Sequence, residues 1–525
     1  MLSTQRFRSR WILAIAFAIY GSVVLSNAWL SDDIWITLRT VDNFVHGYGL
    51  TWNVHERVQV YTHPLWTLLL SVFYAAFDEG GFTTLAVSIG CSSGVLATAW
   101  FKRRKDHMGV LCLALLFVSS KAFIDYSTSG LENPLTHLFA ALFFAPLFAR
   151  RGGAPTSERQ LTAAVLLVSF AYVNRADTIL VYAPTLLWLS WRALPFVRWR
   201  ALRAWAVGML PAATWTVFAV VYYGFPVPNT AFAKLAGGHY HAPLLHPNSI
   251  AYFVNSLLWD PATLPVVLGA LLVGGVFAVR RRRLDVGAAL LGVLLLLVYA
   301  LRIGGDYMSG RLFALPFLVS CLVLVETVDT RKRLASCAVV LVVGIVGPRS
   351  PIRFPLRAEN HGIAARVETG IIDDHLHHDH SSLSKIIRRG DYAFGKARRS
   401  EIGSTGTAVI WGATGYFGFE NDRSLRTIDN LALSDALLAR LPARHPEVGW
   451  GRGHLFRDVP AGYVVSVETG QNRITDPSLR AYYDKLLIIT TGPLLTKERA
   501  MTIWEMNTGA YTHWIDEYEA RRRAH

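Results

Sequence analysis

Long apolar segments recur along this chain, and short loops rich in arginine and lysine separate them. About 20 apolar residues cross a bilayer as a helix, and Lys and Arg concentrate in the loops that stay in the cytoplasm. The pattern therefore predicts a polytopic α-helical membrane protein with about eleven transmembrane helices and a cytoplasmic N-terminus. The predicted crossings are 11–30, 83–101, 108–120, 133–149, 160–174, 177–191, 204–223, 262–279, 286–303, 312–328 and 334–348.

The net charge of +15 follows from this arrangement. The six predicted inner loops carry 21 basic and 5 acidic residues, whereas the predicted outer loops of the membrane part carry 7 and 11. The composition, with 52% hydrophobic and 17% charged residues and a mean hydropathy of +0.32, is that of a membrane protein. Basic residues in excess over acidic ones in the inner loops are a signal of topology, so no nucleic-acid partner is expected.

Two segments are assigned by requiring that all basic loops lie on the cytoplasmic side, which allows only an even number of crossings between one basic loop and the next. Pro64–Phe77 is apolar but has only 14 residues, which favours a helix lying in the outer interface. The polar run Asn174–Asp177 divides 160–191 into two short helices that meet at an outer tip. With these assignments residues 1–349 form a transmembrane domain, and residues 350–525 form an extracytoplasmic C-terminal α/β domain.

Asp32 and Asp33 come directly after the first apolar segment. At the C-terminus of a helix acidic residues oppose the macrodipole, so this position favours a functional role over a solvated helix end. In such a pair one carboxylate acts as general base or nucleophile, while the other orients it, binds a cation or shares the proton.

Basic residues stand near helix ends in four other outer loops. Together they form a cationic set suited to an anion such as a lipid phosphate, although each one alone also fits a snorkelling anchor. Asp177 and Asp306 are candidate counter-ions within the set. Its basic members are Lys121, Arg175, Lys234, Arg302 and Arg311.

Paired carboxylates and a cationic set at one membrane face suit the transfer of a sugar from a polyprenyl phosphate. The stretches that carry the pattern resemble the GT-C integral membrane glycosyltransferases, and among them the bacterial arabinofuranosyltransferases like the mycobacterial terminal arabinan enzyme. They are DDIWITLRTVDNFVHGYGLTWNVHERVQVYTHPLWTLL from Asp32, TSGLEN from Thr128, NRAD from Asn174, YYGFPVPNTAFAK from Tyr222, GGDYMSGRLFALP from Gly304, and TIDNLALSDALLARLP from Thr427 followed by GHLFRDVPAGYV.

The resemblance implies that Asp32 and Asp33 are the catalytic pair and that the donor is decaprenyl-phosphate arabinofuranose or a close relative. It also implies that the segment from His63 to Phe77 is the juxtamembrane helix bordering the lipid entrance. Of the implied substrate-binding residues, three are assigned to phosphate, namely Arg175, Lys234 and Arg311. The others, assigned to sugar or network contacts or to substrate binding in general, are Arg39, His63, Glu132, Asn229 and Asp306.

The C-terminal tail lacks a clear carbohydrate-binding module and is expected to form one compact domain that helps receive the acceptor. Alternating runs predict strands, and the longer polar-apolar patterns predict helices. The strands are Thr407–Trp411, Tyr463–Val467 and Leu486–Thr491, and the helices are 431–441 and 477–487. The run WGATGYFG is too isolated to indicate a nucleotide-binding loop.

Metal binding is considered at two places. The run DDHLHHDH, Asp373–His380, contains enough ligands for zinc, but adjacent histidines in a flexible polar linker often bind nothing. A divalent cation at Asp32 and Asp33 is the favoured alternative, because some lipid-linked glycosyltransferases use one. All four cysteines lie in apolar segments, which indicates neither a disulfide framework nor a cysteine-based metal site.

Other functions stay open at this point. The sugar is most simply D-arabinofuranose, with mannose and 4-amino-arabinose as alternatives, and the acceptor is a glycan, a lipid-linked molecule or a protein. An outward-facing lipid or solute transporter would use similar residues, but it predicts internal repeats and charges near mid-membrane. The expected location is the bacterial inner membrane, with the active site on its outer face.

Overall fold

The computed structural model describes residues 2–102, 106–149, 156–235, 247–353, 371–390, 392, 407–412, 414–444 and 455–524. This part of the chain is almost entirely helical, with short 3₁₀ or π turns at several helix ends. Its α-helices are α1 (Leu2–Ser26), α2 (Asp33–Val45), α3 (Pro64–Phe77), α4 (Gly81–Lys102), α5 (His107–Ser119), α6 (Lys121–Asp125), α7 (Asn133–Ala149), α8 (Glu158–Asn174), α9 (Ile179–Val197), α10 (Arg200–Gly208), α11 (Leu210–Tyr223), α12 (Asn229–Leu235), α13 (Pro247–Trp259), α14 (Thr263–Gly269), α15 (Gly275–Arg281), α16 (Leu284–Ile303), α17 (Ala314–Thr327), α18 (Thr330–Val346), α19 (Asp374–His377), α20 (Leu383–Arg389), α21 (Thr414–Glu420), α22 (Tyr463–Thr469), α23 (Pro477–Thr490), α24 (Lys497–Asn507) and α25 (Thr512–Ala524). Two strands, β1 (Ala408–Ile410) and β2 (Arg426–Ile428), pair in parallel with Ala408 opposite Arg426.

Every predicted apolar segment contains a helix. Within the described residues, four helical stretches have the length and hydropathy of a membrane span, and a fifth arises if α10 and α11, bent by 47°, count as one. The four are Gly81–Lys102, Ala176–Val197, Thr263–Arg281 and Leu284–Ile303. The chain is therefore a helical membrane protein, while the number of crossings stays a prediction. The predicted short helix over Pro64–Phe77 is confirmed as α3.

The helix that carries the acidic pair differs from the expectation. α1 ends at Ser26, and the side chain of Asn27 donates to the Val23 carbonyl at 2.8 Å, which satisfies one of the last carbonyls of the helix. Asp32 is then the N-cap of α2 and Asp33 its first residue. The prediction that the two acids stand at a helix C-terminus is therefore wrong. They stand at the N-terminus of α2, where the macrodipole stabilises acidic residues.

The chain divides into two compact units, each described by itself. Unit one comprises Met1–Ser31, Gly81–Ala212 and Pro243–Tyr392. Its helices pack closely, with α1 on α5, α4 on α7 and α9 on α16. Glycine permits the last of these contacts, because a Cβ at Gly292 would lie 2.1 Å from the carbonyl oxygen of Val181.

Unit two comprises Asp32–Gly80, Ala213–Ala242 and Ala393–His525. The first predicted outer loop, most of α11 with α12, and the tail from Ala393 onward thus fold as one unit. Its core contains buried aromatic and aliphatic residues from all three segments, among them Trp52, Tyr61, Tyr223, Leu437 and Leu486. Around this core α2 packs on α3 and α21, and α23 packs on α24 and α25.

The tail contains less strand than expected. The strand over Thr407–Trp411 is confirmed as β1 and the helix over 477–487 as α23, but the strands over Tyr463–Val467 and Leu486–Thr491 are wrong. Asp476 caps α23 and Pro477 starts it, so the helix continues through Leu486 to Thr490.

The predicted helix over 431–441 is also largely wrong. Only a 3₁₀ turn at Leu438–Arg440 is helical in this stretch. The side chain of Asp429 accepts hydrogen bonds from the backbone amides of Leu431 and Ser434, both at 2.9 Å, which holds the segment in turns. Such bonds compete with helix formation.

Candidate functional site

The predicted site residues fall in both units. Unit two contains Asp32, Asp33, Arg39, His63, Asn229 and Lys234, and unit one contains Glu132, Arg175, Asp306 and Arg311. Each group is described in its own unit.

The carboxylate of Asp32 is held by a segment almost 400 residues away in sequence. Its Oδ1 accepts a hydrogen bond from the backbone N–H of Tyr416 at 2.9 Å, in the first turn of α21. A Cβ at Gly415 would lie 2.5 Å from Asp32 Oδ2, so glycine is the residue that lets α21 approach this closely. The run WGATGYFG, which offered no functional signal by itself, thus contains the partner of the first acid.

Aromatic contacts also hold α21 against the first turn of α2. The ring of Trp35 packs edge-on against Tyr416, with centroids 4.9 Å apart, and lies 4.9 Å from Phe419. Trp35 is fully buried, whereas Asp32 and Asp33 are partly exposed at the start of α2. The packing therefore anchors the helix while its two N-terminal acids remain accessible.

Arg39 lies in the interior one turn further along α2. Its guanidinium donates to the carbonyl oxygens of Trp52 at 3.0 Å, Leu425 at 3.2 Å and Gly418. Burial lowers the pKa of Arg39 to about 10, against an opposing effect of Asp42. These contacts fasten the first predicted outer loop to the tail within unit two.

His63 and Asn229 make similar internal contacts. His63 Nε2 lies 2.8 Å from the Thr37 hydroxyl, which connects α3 to α2. The amide of Asn229 donates to the carbonyl oxygens of Ala432, Leu433 and Asp435 at 3.0 to 3.1 Å. Lys234, by contrast, is exposed at the end of α12.

A second carboxylate group occupies the interior of unit two. Burial, reinforced by the carboxyl of Asp435, raises the pKa of Glu56 to about 7. Burial likewise raises the pKa of Asp429 to about 7 and that of Asp435 to about 6. In the sequence Glu56 lies in the stretch that starts at Asp32, and the two aspartates lie in the stretch from Thr427. No local pattern distinguishes these three acids from solvated ones.

In unit one, two arginines converge on a fully buried glutamate. Arg175 Nη1 lies 2.5 Å from Glu132 Oε1, and Arg311 Nη2 lies 3.1 Å from the same oxygen. Arg175 also forms a two-pronged pair with Asp177, at 2.8 and 2.9 Å. Asp306 lies 3.7 Å from Arg311. Asp177 and Asp306 are therefore counter-ions, and the two arginines of the predicted cationic set that meet here, Arg175 and Arg311, are compensated by acids of unit one.

The histidine run belongs to a buried polar network. Lys121 pairs with Asp125 at 2.5 Å and with Asp373 at 3.2 Å. His375 Nδ1 lies 2.9 Å from Asp125 Oδ1, and the ring of Trp29 stacks on His375. The interpretation of Asp373–His380 as a flexible linker is wrong, because Lys121 and Asp125 of unit one supply its counter-charges.

Metal ligation finds little support in this arrangement. Within the described ranges, no three His, Cys, Asp or Glu side chains are grouped so that they could hold a metal ion. Asp32 and Asp33 supply two carboxylates, and one oxygen of Asp32 already accepts the Tyr416 amide. A divalent cation at this pair stays a prediction.

The architecture defines the class: an α-helical membrane protein, whose ten predicted site residues lie outside the four stretches that could each cross a membrane. More particularly, the chain is similar to two curated terminal β-(1→2)-arabinofuranosyltransferases. That of Corynebacterium glutamicum is 28% identical over 325 residues, which cover 55% of this chain and 46% of the relative. That of Mycobacterium tuberculosis is 29% identical over 353 residues, which cover 59% of this chain and 54% of the relative.

The resemblance predicted from the motifs is thereby confirmed, although the chain spans only about half the length of these relatives. Two solved structures of the Archaeoglobus fulgidus oligosaccharyltransferase also align. One, in complex with Zn and sulfate, covers 79% of this chain and 62% of that one at 13% identity and a TM-score of 0.44. The other, tethered to an acceptor peptide, covers 81% and 64% at 12% identity and a TM-score of 0.45. No family model matches the chain.

Proposed function

We propose that this protein is a membrane glycosyltransferase that moves a sugar, D-arabinofuranose, from a polyprenyl-phosphate donor to a cell-envelope glycan or protein acceptor. The observation that carries the proposal is the adjacent pair Asp32 and Asp33, partly exposed at the start of α2, in a chain similar to two arabinofuranosyltransferases. Mannose or 4-amino-arabinose is the alternative sugar.

The reaction requires a base and groups that stabilise the charges that develop on the sugar and on the departing phosphate. The bond between the anomeric carbon and the phosphate oxygen breaks, the acceptor oxygen bonds to that carbon, and the acceptor proton passes to a carboxylate. Asp32 or Asp33 takes this proton if the acceptor attacks directly. If a carboxylate attacks the sugar first, a covalent intermediate forms and the stereochemistry is retained.

Cations then stabilise the departing polyprenyl phosphate. Arg175, Arg311 and Lys234 are proposed for this role. Glu132 aligns the two arginines, because it receives a guanidinium from each. Arg39, His63 and Asn229 are proposed to support the site through the main-chain and hydroxyl contacts they make in unit two.

The membrane topology is part of the proposal. The acidic pair and the tail are assigned to the outer face of the bacterial inner membrane, since the basic loops concentrate on the other side of the predicted crossings. A transporter using the same residues is the second candidate, and it differs in requiring no covalent turnover.

The test is turnover by the purified full-length protein with synthetic polyprenyl-phosphate sugars and a panel of glycan and peptide acceptors. Asp32→Asn and Asp33→Asn are each expected to lower turnover by at least ~100-fold. Asp78→Asn is the matched control, since Asp78 is an exposed acid of the same loop whose left-handed conformation asparagine also adopts. Full activity in both variants would remove the pair from the mechanism, and absence of turnover with every donor would favour the transporter.

A further inference from the structure

A cavity of about 550 Å³ opens in unit one where α9 ends and α15 turns into α16. One wall is aromatic and consists of Trp188, Trp191 and Phe196 from the last turns of α9. The facing wall contains Arg281 and Arg282, at the end of α15. A volume of this size is typical of small-molecule sites, and its two walls differ sharply in chemistry.

The charge of the cavity is positive after internal pairing. Asp285 also lines it, but this buried carboxylate receives two nitrogens of Arg283, with the closest contact at 2.8 Å. Glu326 lies 3.4 Å from the same arginine. Asp285 and Glu326 both pair with Arg283, so the positive charges of Arg281 and Arg282 are not compensated by these two acids.

The aromatic wall indicates what kind of anion fits. Trp191 and Phe196 are 64% and 67% exposed, and the guanidinium of Arg192 lies over the Trp188 ring at 5.4 Å. Exposed tryptophans beside arginines are typical of the level where headgroups meet acyl chains. A soluble anion would use the arginines alone, whereas a lipid would also cover the aromatic side chains.

We infer that this cavity binds an anionic phospholipid, with its phosphate on Arg281, Arg282 and Arg192 and an acyl chain along Trp191 and Phe196. Basic pockets between transmembrane helices recognise such headgroups through charge-assisted hydrogen bonds. The cavity lining shares no residue with the acidic pair, so the inference does not depend on the proposed sugar transfer. By the predicted topology it faces the cytoplasmic leaflet.

The inference is tested by native mass spectrometry of the full-length protein in detergent, titrated with phosphatidylglycerol and, separately, phosphatidylcholine. Phosphatidylglycerol is expected to bind at least about tenfold more tightly. In Arg281→Gln/Arg282→Gln its affinity should fall about tenfold. The matched control Arg331→Gln/Lys332→Gln removes the same charge from another predicted inner loop and should bind as the unmodified protein does.

A second variant tests the inference in case Arg281→Gln/Arg282→Gln does not fold. Trp191→Ala should weaken phosphatidylglycerol binding, whereas Trp199→Ala, at a 67% exposed tryptophan outside the cavity lining, should not. Equal binding of both lipids, or unchanged affinity in both cavity variants, overturns the inference. Complete competition by millimolar inorganic phosphate overturns it as well, because the cavity would then be a soluble-anion site.

Discussion

The acidic pair of unit two and the Glu132 cluster of unit one use charge in opposite ways. Asp32 is partly exposed, and its carboxylate is oriented by a neutral donor, the backbone amide of Tyr416. Glu132 is fully buried and is compensated by the guanidiniums of Arg175 and Arg311. The first arrangement orients an accessible carboxylate, whereas the second holds charged groups in place by pairing them with one another.

The comparison predicts its largest effect at Glu132. Glu132→Gln should lower the stability of the protein by ~3–5 kcal/mol, because removal of one partner from a buried ion pair leaves uncompensated charge. Thermal unfolding in detergent measures this, with Glu420→Gln, at an exposed glutamate, as the control. A melting temperature equal to that of the unmodified protein would contradict the structural role of the cluster.

Asp32→Asn is the counterpart in unit two, and it should leave the melting temperature nearly unchanged. The carbonyl oxygen of asparagine still accepts the amide of Tyr416, and the group is partly exposed. If Asp32→Asn lowered the melting temperature but not the turnover, Asp32 would be a stabilising residue like Glu132, and the contrast between the two regions would be wrong.

The second prediction concerns Gly415, whose lack of a side chain allows α21 to approach Asp32 closely. Gly415→Ala should lower kcat by ~10–100-fold with little change in KM for the donor, because the added methyl group would clash with both the backbone carbonyl and the carboxylate of Asp32 and would displace that residue. Alanine favours a helix more than glycine does, so α21 itself should tolerate the change. Gly90→Ala is the control, since a Cβ at Gly90 meets nothing within 4 Å. Unchanged kcat would show that this contact does not position Asp32 for turnover.

The third prediction separates two roles for Arg39. Arg39→Lys should destabilise the protein by ~2 kcal/mol, because one ammonium group cannot reach the three carbonyl oxygens that the planar guanidinium serves. KM for the donor should stay within about twofold if these contacts are its function. A large rise in KM with an unchanged melting temperature would instead support the substrate-binding role that the resemblance implies. Arg388→Lys, at an exposed arginine, serves as the control.

The sequence was sufficient for features that depend on local periodicity and hydrophobicity. The apolar helices and the short helix α3 follow from local runs of apolar residues. The roles of the candidate site residues stay predictions. The pairing of Asp32 with Tyr416 was not predictable, because the two lie far apart in the chain and the amide of any residue can donate. The same holds for Lys121 with Asp373, since a charge run gives no information about distant counter-ions.

Errors in the tail have a related cause. Tyr463–Val467 contains three valines, which favour a strand, yet Gly462 and Gly470, both with positive φ, bound a helix there. Tertiary packing thus overrides a short local pattern, since Tyr463 and Ser466 are the buried positions of that helix.

The final prediction concerns Glu56, whose raised pKa distinguishes it from the partly exposed acidic pair. Because burial raises its pKa from 4.5 to about 7, the folded protein favours the protonated form. This contribution is complete below the ordinary pKa and is lost as the pH rises through the raised pKa of the folded protein. Glu56→Gln should therefore flatten the decline of melting temperature between pH 4.5 and 7, leaving a smaller slope from Asp429 and Asp435, whose pKa values are raised in the same direction. Thermal unfolding across this range, with Asp78→Asn as the control, checks the effect, and an unaltered slope in Glu56→Gln would mean that its carboxyl is hydrated in the folded protein.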